Sequence, residues 1–126
     1  MRNQDYLNQC ENHLREFEII QLKMLRLELA DAGNDFLAHI KQMRQFFEQT
    51  SNELLNYSFN MHRDKILLVK QIERLLVFLK EMDLHIIGFQ SMLTPDENEI
   101  IFIFERQHIF KNIYRKHMGD FESIIK

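Results

Sequence analysis

Along the middle of this chain, large apolar residues recur at alternating steps of four and three. One run is Phe36, Ile40, Met43, Phe47, Leu54, Tyr57 and Met61, with Thr50 filling a step. A second run, in a shifted phase, is Leu68, Ile72, Leu75, Leu79, Met82, Ile86, Phe89 and Leu93. That period puts every member on one side of an α-helix, and such a stripe leaves water only by lying against other helices. Composition removes the alternatives. Three Gly and one Pro in 126 residues cannot supply the closely spaced turns of a sandwich or barrel. At 45% hydrophobic and 28% charged residues, the chain is globular and not disordered. The expectation is an all-α protein, an antiparallel up-down-up-down four-helix bundle with long helices and coiled-coil-like packing, residues 1–126 forming a single domain.

Boundaries follow from caps and breakers. Helix 1 is expected over about 4–32, with a stripe of Leu7, Cys10, Leu14 and Phe17 that broadens to Ile20, Leu22, Met24, Leu25, Leu27 and Leu29. Gly33 offers a left-handed stop, and Asn34 and Asp35 offer acceptors to the next helix. Glu28 and Asp31 oppose this placement, because they would sit at the negative end of the helix dipole. Helix 2 is expected over about 35–60, passing through Thr50 although Thr50-Ser51-Asn52-Glu53 also fits a capping box. The phase slip between Met61 and Leu68 is read as a loop at about Asn60 to Arg63, with Asp64 capping helix 3. The alternative is a stutter in one helix over 35–93, roughly 88 Å long at 1.5 Å per residue. Helix 4 starts at Thr94-Pro95-Asp96-Glu97, a cap, a preset φ and a reciprocal acceptor in order. Its stripe is Ile103, Gln107, Phe110, Tyr114, His117 and Phe121; Gly119 is expected to end it, with a tail that docks back.

Several function classes lose support. A formal charge of −3, with acids and bases interleaved throughout, lacks the basic footprint of a nucleic-acid binder. No apolar run is longer than Ile100 to Phe104, far short of the ~20 residues that span a bilayer. The opening MRNQDYLNQC has no apolar signal-peptide core, and one cysteine, Cys10, precludes an internal disulfide; the cytoplasm fits best. Gly33, Gly88 and Gly119 are scattered singly, so no phosphate loop can form, and no nucleophile motif or cofactor signature is present.

Two chemical candidates come from spacing. Glu105 and His108 stand three apart, the half-site unit of di-iron carboxylate bundles, and are the metal candidates; no second Glu-x-x-His exists. His39, in Ala38-His39-Ile40-Lys41, falls beside the seam, where an exposed histidine would suit a phosphotransfer bundle. Against these stands a simpler expectation. Helices 3 and 4 carry more apolar surface than one seam needs, which points to another chain covering it. The chain is therefore expected to be a non-enzymatic association protein, a homodimer that also docks a protein partner. Phe78, Phe89, Phe102, Phe104 and Phe110 are the expected interface residues.

Overall fold

In a computed structural model, residues 3–26, 29–90 and 97–125 are described, with the side chains of residues 29–31, 89 and 90 outside that description. The described residues form four helices: α1 (Asn3–Leu25), α2 (Leu29–Leu55), α3 (His62–Gln90) and α4 (Glu97–Ile124). Each helix packs on its sequence neighbour, and α4 closes the ring on α1, while across the diagonal the Phe47 ring of α2 meets Tyr114 of α4. Cross-helix pairs fix the directions. Met24 meets Gln107 while Tyr6 meets His117, so α1 and α4 are antiparallel. Phe17 with Phe36 and Tyr6 with Phe46 set α1 against α2, and Gln71 with His117 and His85 with Glu99 set α3 against α4. The up-down-up-down bundle follows.

Both seams are buried as their period requires from Phe36 to Leu54 and from Leu68 to Ile86; beyond the end of α2 the expected first seam fails, with Tyr57 half-buried and Met61 exposed. Phe36, Ile40, Met43, Phe47 and Leu54 are at most 1% exposed, and so are Leu68, Ile72, Leu75, Leu79, Met82 and Ile86. An aromatic column fills the middle: Phe17 lies 5.1 Å from Phe110 and edge-on to Phe36, and Tyr114 lies 5.6 Å from Phe110 and edge-on to Phe47. Such tilted and T-shaped pairs place ring edges on ring faces, adding to the area they bury.

Three expected boundaries need correction. The first turn is not at Gly33: α1 ends at Leu25 and Gly33 lies buried inside α2. The seam decides this, since Ala32 stands four before Phe36 and is fully buried. That packing outweighs the roughly 1 kcal/mol a mid-helix glycine costs. Asp35, read as a cap acceptor, instead pairs with Lys23 across the turn at 3.1 Å. The second connection is a loop and not a stutter, but it comes early, with α2 ending at Leu55. There Tyr57 N–H bonds to the Leu54 carbonyl, and Lys65 Nζ donates at 2.7 Å to the Leu55 carbonyl at the negative end of the α2 dipole. Asp64 sits in the first turn of α3 and is not its cap. The third correction is Gly119, which does not stop α4; the helix runs on to Ile124, and the docked tail is its last turn. Phe121 and Ile125 continue the buried stripe, and a Cβ at Gly119 would meet nothing. The Thr94-Pro95 start of α4 lies outside the described residues. No helix among the described residues is long and apolar enough to cross a membrane.

Candidate functional site

A chain of polar side chains runs inward where the α1 start, the α4 end and the α3 start meet. Asp120 Oδ2 can only accept, so Gln71 turns its amide nitrogen to it at 2.6 Å. That leaves Gln71 Oε1 for His117 Nδ1 at 2.8 Å, so the imidazole carries its proton there. Its other nitrogen, Nε2, is then bare and accepts the Tyr6 hydroxyl proton at 2.7 Å. Lys116 Nζ donates to the same Asp120 oxygen at 2.8 Å, closing the chain at the surface. Burial holds His117 neutral, with its pKa down at about 4 despite Asp120 nearby. The Lys116 hydrogen bond holds the Asp120 carboxyl below its ordinary range, and burial holds the Tyr6 phenol well above its own.

This chain is a strut with every partner satisfied, tying three helices together. Its core atoms are enclosed, and a depression edged by Asp5, Gln9, Gln49, Thr50 and Glu53 reaches Tyr6. Gln71→Leu removes the acceptor of His117 and the donor to Asp120 together. It is expected to cost about 1–3 kcal/mol, read as a lower urea midpoint.

A second buried histidine is His39, only 4% exposed, stacked on His13 with 3.2 Å between His13 Nδ1 and His39 Nε2. Burial, then the neighbouring imidazole, lowers the His39 pKa to about 4, and burial lowers that of His13. The exposure expected of a phosphotransfer histidine is therefore absent at His39: the α1–α2 packing covers it. Its Nδ1 has no hydrogen-bond partner among the described residues. Cys10 is fully buried and its thiol is pushed up to about 12 by burial, while Tyr114 donates to the Cys10 carbonyl at 2.7 Å. A protonated, enclosed thiol is a poor nucleophile.

The metal candidates point the wrong way for a bundle-core site. Glu105 and His108 are exposed on α4, beside a shallow apolar depression with Ile101, Phe104 and Ile109. No group of three or more His, Cys, Asp or Glu among the described residues is placed to hold a metal ion.

The expected interface phenylalanines divide. Phe110 is fully buried in the core column and cannot be an interface residue of the folded bundle. Phe78, Phe102 and Phe104 are partly buried. The Arg106 guanidinium lies 4.6 Å over the Phe102 ring and 5.8 Å over Phe78, and reaches towards Glu81, so these two rings line the α3–α4 seam. The Phe89 side chain lies outside the described residues. What faces out instead is aliphatic: Ile66, Val77, Leu84 and Ile87 on α3, Ile101 and Ile109 on α4, and Ile19, Leu22 and Leu25 on α1.

The sequence held a signal for the His117 strut, since Gln107 and His117 break an otherwise apolar α4 stripe. Nothing in the spacing marked Gln71 as the partner from α3. Compared with known proteins, the chain matches no family model, no curated protein and no solved structure.

Proposed function

We propose that this chain is a non-enzymatic, cytoplasmic association protein that binds a second copy of itself and a protein partner through the outward faces of α3 and α4. One observation carries the reading. Val77, Leu84 and Ile87 are 56%, 60% and 52% exposed, although the interior is already filled by the seam residues behind them. Aliphatic surface aligned on one helix face, and not scattered singly, is what a docking site offers. Ile101, Ile109 and the depression beside His108 extend apolar surface onto α4. The interior polar groups support the same reading, because His39, His117 and Cys10 are held uncharged and enclosed.

The rival is a metal-binding or phosphotransfer bundle, which asks for inward-facing carboxylates or an exposed histidine. Outward Glu105 and His108 and buried His39 favour association over that rival.

Light scattering of the purified chain is expected to give twice the 15.4 kDa chain mass at micromolar concentration. Leu84→Glu is expected to return it to 15.4 kDa with the helical circular dichroism unchanged. A clean monomer at every concentration would remove self-association, and stoichiometric metal in chelator-free protein would revive the rival.

A further inference from the structure

Resting on that association reading, we infer that the outward face of α3 pairs antiparallel with the same face of a second copy, with Val77 at the two-fold axis. The face is defined by spacing. Ile66, Lys70, Glu73, Val77, Lys80, Leu84 and Ile87 follow steps of four and three and so share one stripe. It lies opposite the buried stripe of Leu68, Ile72, Leu75, Leu79, Met82 and Ile86. All of its members are exposed.

From either end the stripe begins with an aliphatic residue and has a charge next to Val77, Glu73 on one side and Lys80 on the other; the halves differ in one place, Lys70 against Leu84. Laid antiparallel on itself about Val77, Ile66 comes within one residue's rise of Ile87 and Glu73 within one of Lys80, each pairing occurring twice by symmetry. Lys70 then falls over Leu84, where its methylene stem covers the leucine while the ammonium reaches water. A parallel pairing would instead oppose Glu73 to Glu73, Lys70 to Lys70 and Lys80 to Lys80. Like charges so placed repel, and charge therefore selects the antiparallel direction.

A separate feature fits the same arrangement. Between the end of α2 and the start of α3 is a shallow depression with an apolar floor of Leu55, Ile66 and Val69, rimmed by Lys65, Lys70 and Glu73. Ile87 leans towards the α2 side of its own helix, by helical spacing. In an antiparallel pair like flanks face each other, so Ile87 arrives over Ile66 and Val69, and the depression is its seat. The stripe from 66 to 87 is roughly 32 Å long at 1.5 Å per residue, so both ends and the axis engage together.

Charge reversal and cross-linking test this register. Glu73→Lys and Lys80→Glu are each expected to weaken the dimer about tenfold or more, because each creates two like-charge contacts. The double variant, and an equimolar mixture of the two single variants, are expected to recover dimer mass by light scattering. Val77→Cys is expected to give a disulfide-linked dimer on mild oxidation, since a residue on the axis faces its own copy within bridging reach. The wild-type chain, whose only cysteine is buried, should give none. Gln45→Cys, on the exposed polar face of α2, should also stay unlinked. A wild-type dimer that survives both charge reversals, with Val77→Cys unlinked, overturns the register and leaves association standing. A wild-type monomer throughout overturns both.

Discussion

Acidification from pH 6.5 to about 4 is expected to remove roughly half or more of the folding free energy. His39 and His117 each drop from an ordinary 6.5 to about 4 on folding. One pKa unit corresponds to about 1.4 kcal/mol, so each histidine contributes of order 3 kcal/mol of pH-dependent stability. His13 moves in the same direction, though its contact with His39 means the two will not simply add. The sign follows from proton counting. Below pH 6.5 the unfolded chain takes up protons at these rings while the folded chain does not, so stability is full above 6.5 and falls as pH drops. The loss stops near pH 4, where the folded rings protonate too. Asp120, with its carboxyl held low by Lys116, adds loss only at still lower pH. Set against a typical 5–15 kcal/mol, the combined histidine contribution is large enough to bring unfolding within reach of mild acid. Urea midpoints at pH 7.5, 6, 5 and 4.5 should fall steadily, and His117→Gln should lessen the slope. A midpoint unchanged from pH 7.5 to 4.5 would mean that these imidazoles are not buried as described.

The interior of this bundle was legible because burial obeys a period. The residues that the four-three spacing selects in α2, α3 and α4 include the most enclosed of the protein, among them Gln107 and His117. Turns obey no such rule. Gly33 has the chemistry of a stop, yet it lies in α2 because Ala32 and Phe36 continue the seam through it, and tertiary packing outweighs a local preference. Gly119 misleads in the same way, with Phe121 and Ile125 carrying α4 onward. The candidate site was less legible for a different reason. An aromatic count says how much apolar surface a helix has, but not which neighbour covers it. Arg106 covers Phe102 and Phe78, and Phe17 and Tyr114 enclose Phe110. The uncovered surface falls to Val77, Leu84 and Ile87, whose spacing is visible in the sequence only once the buried stripe of α3 is fixed.

Phe110→Ala is expected to be the most damaging single truncation, costing about 3–5 kcal/mol. The ring is fully buried, 5.1 Å from Phe17 and 5.6 Å from Tyr114, between helices that cannot collapse without shifting the rest of the column. Both the lost transfer free energy and the cavity count against the variant, and in a domain of ordinary stability this leaves it marginal. Phe102→Ala should cost less, because that ring is only partly buried and what it loses is the stacked Arg106 and the His85 ring 4.2 Å away. Val77→Ala leaves no cavity and removes a β-branched residue from an exposed helical position, so monomer stability should stay within about 0.5 kcal/mol of wild type. The dimer should report the reverse order for the outward position: Val77→Ala weakens association while Phe102→Ala barely alters it. Urea unfolding at low concentration, paired with light scattering at high concentration, reads the two orders independently. If Phe110→Ala unfolds at the wild-type midpoint, Phe110 is not the centre of the core, and the division between an inward aromatic column and an outward aliphatic face fails with it.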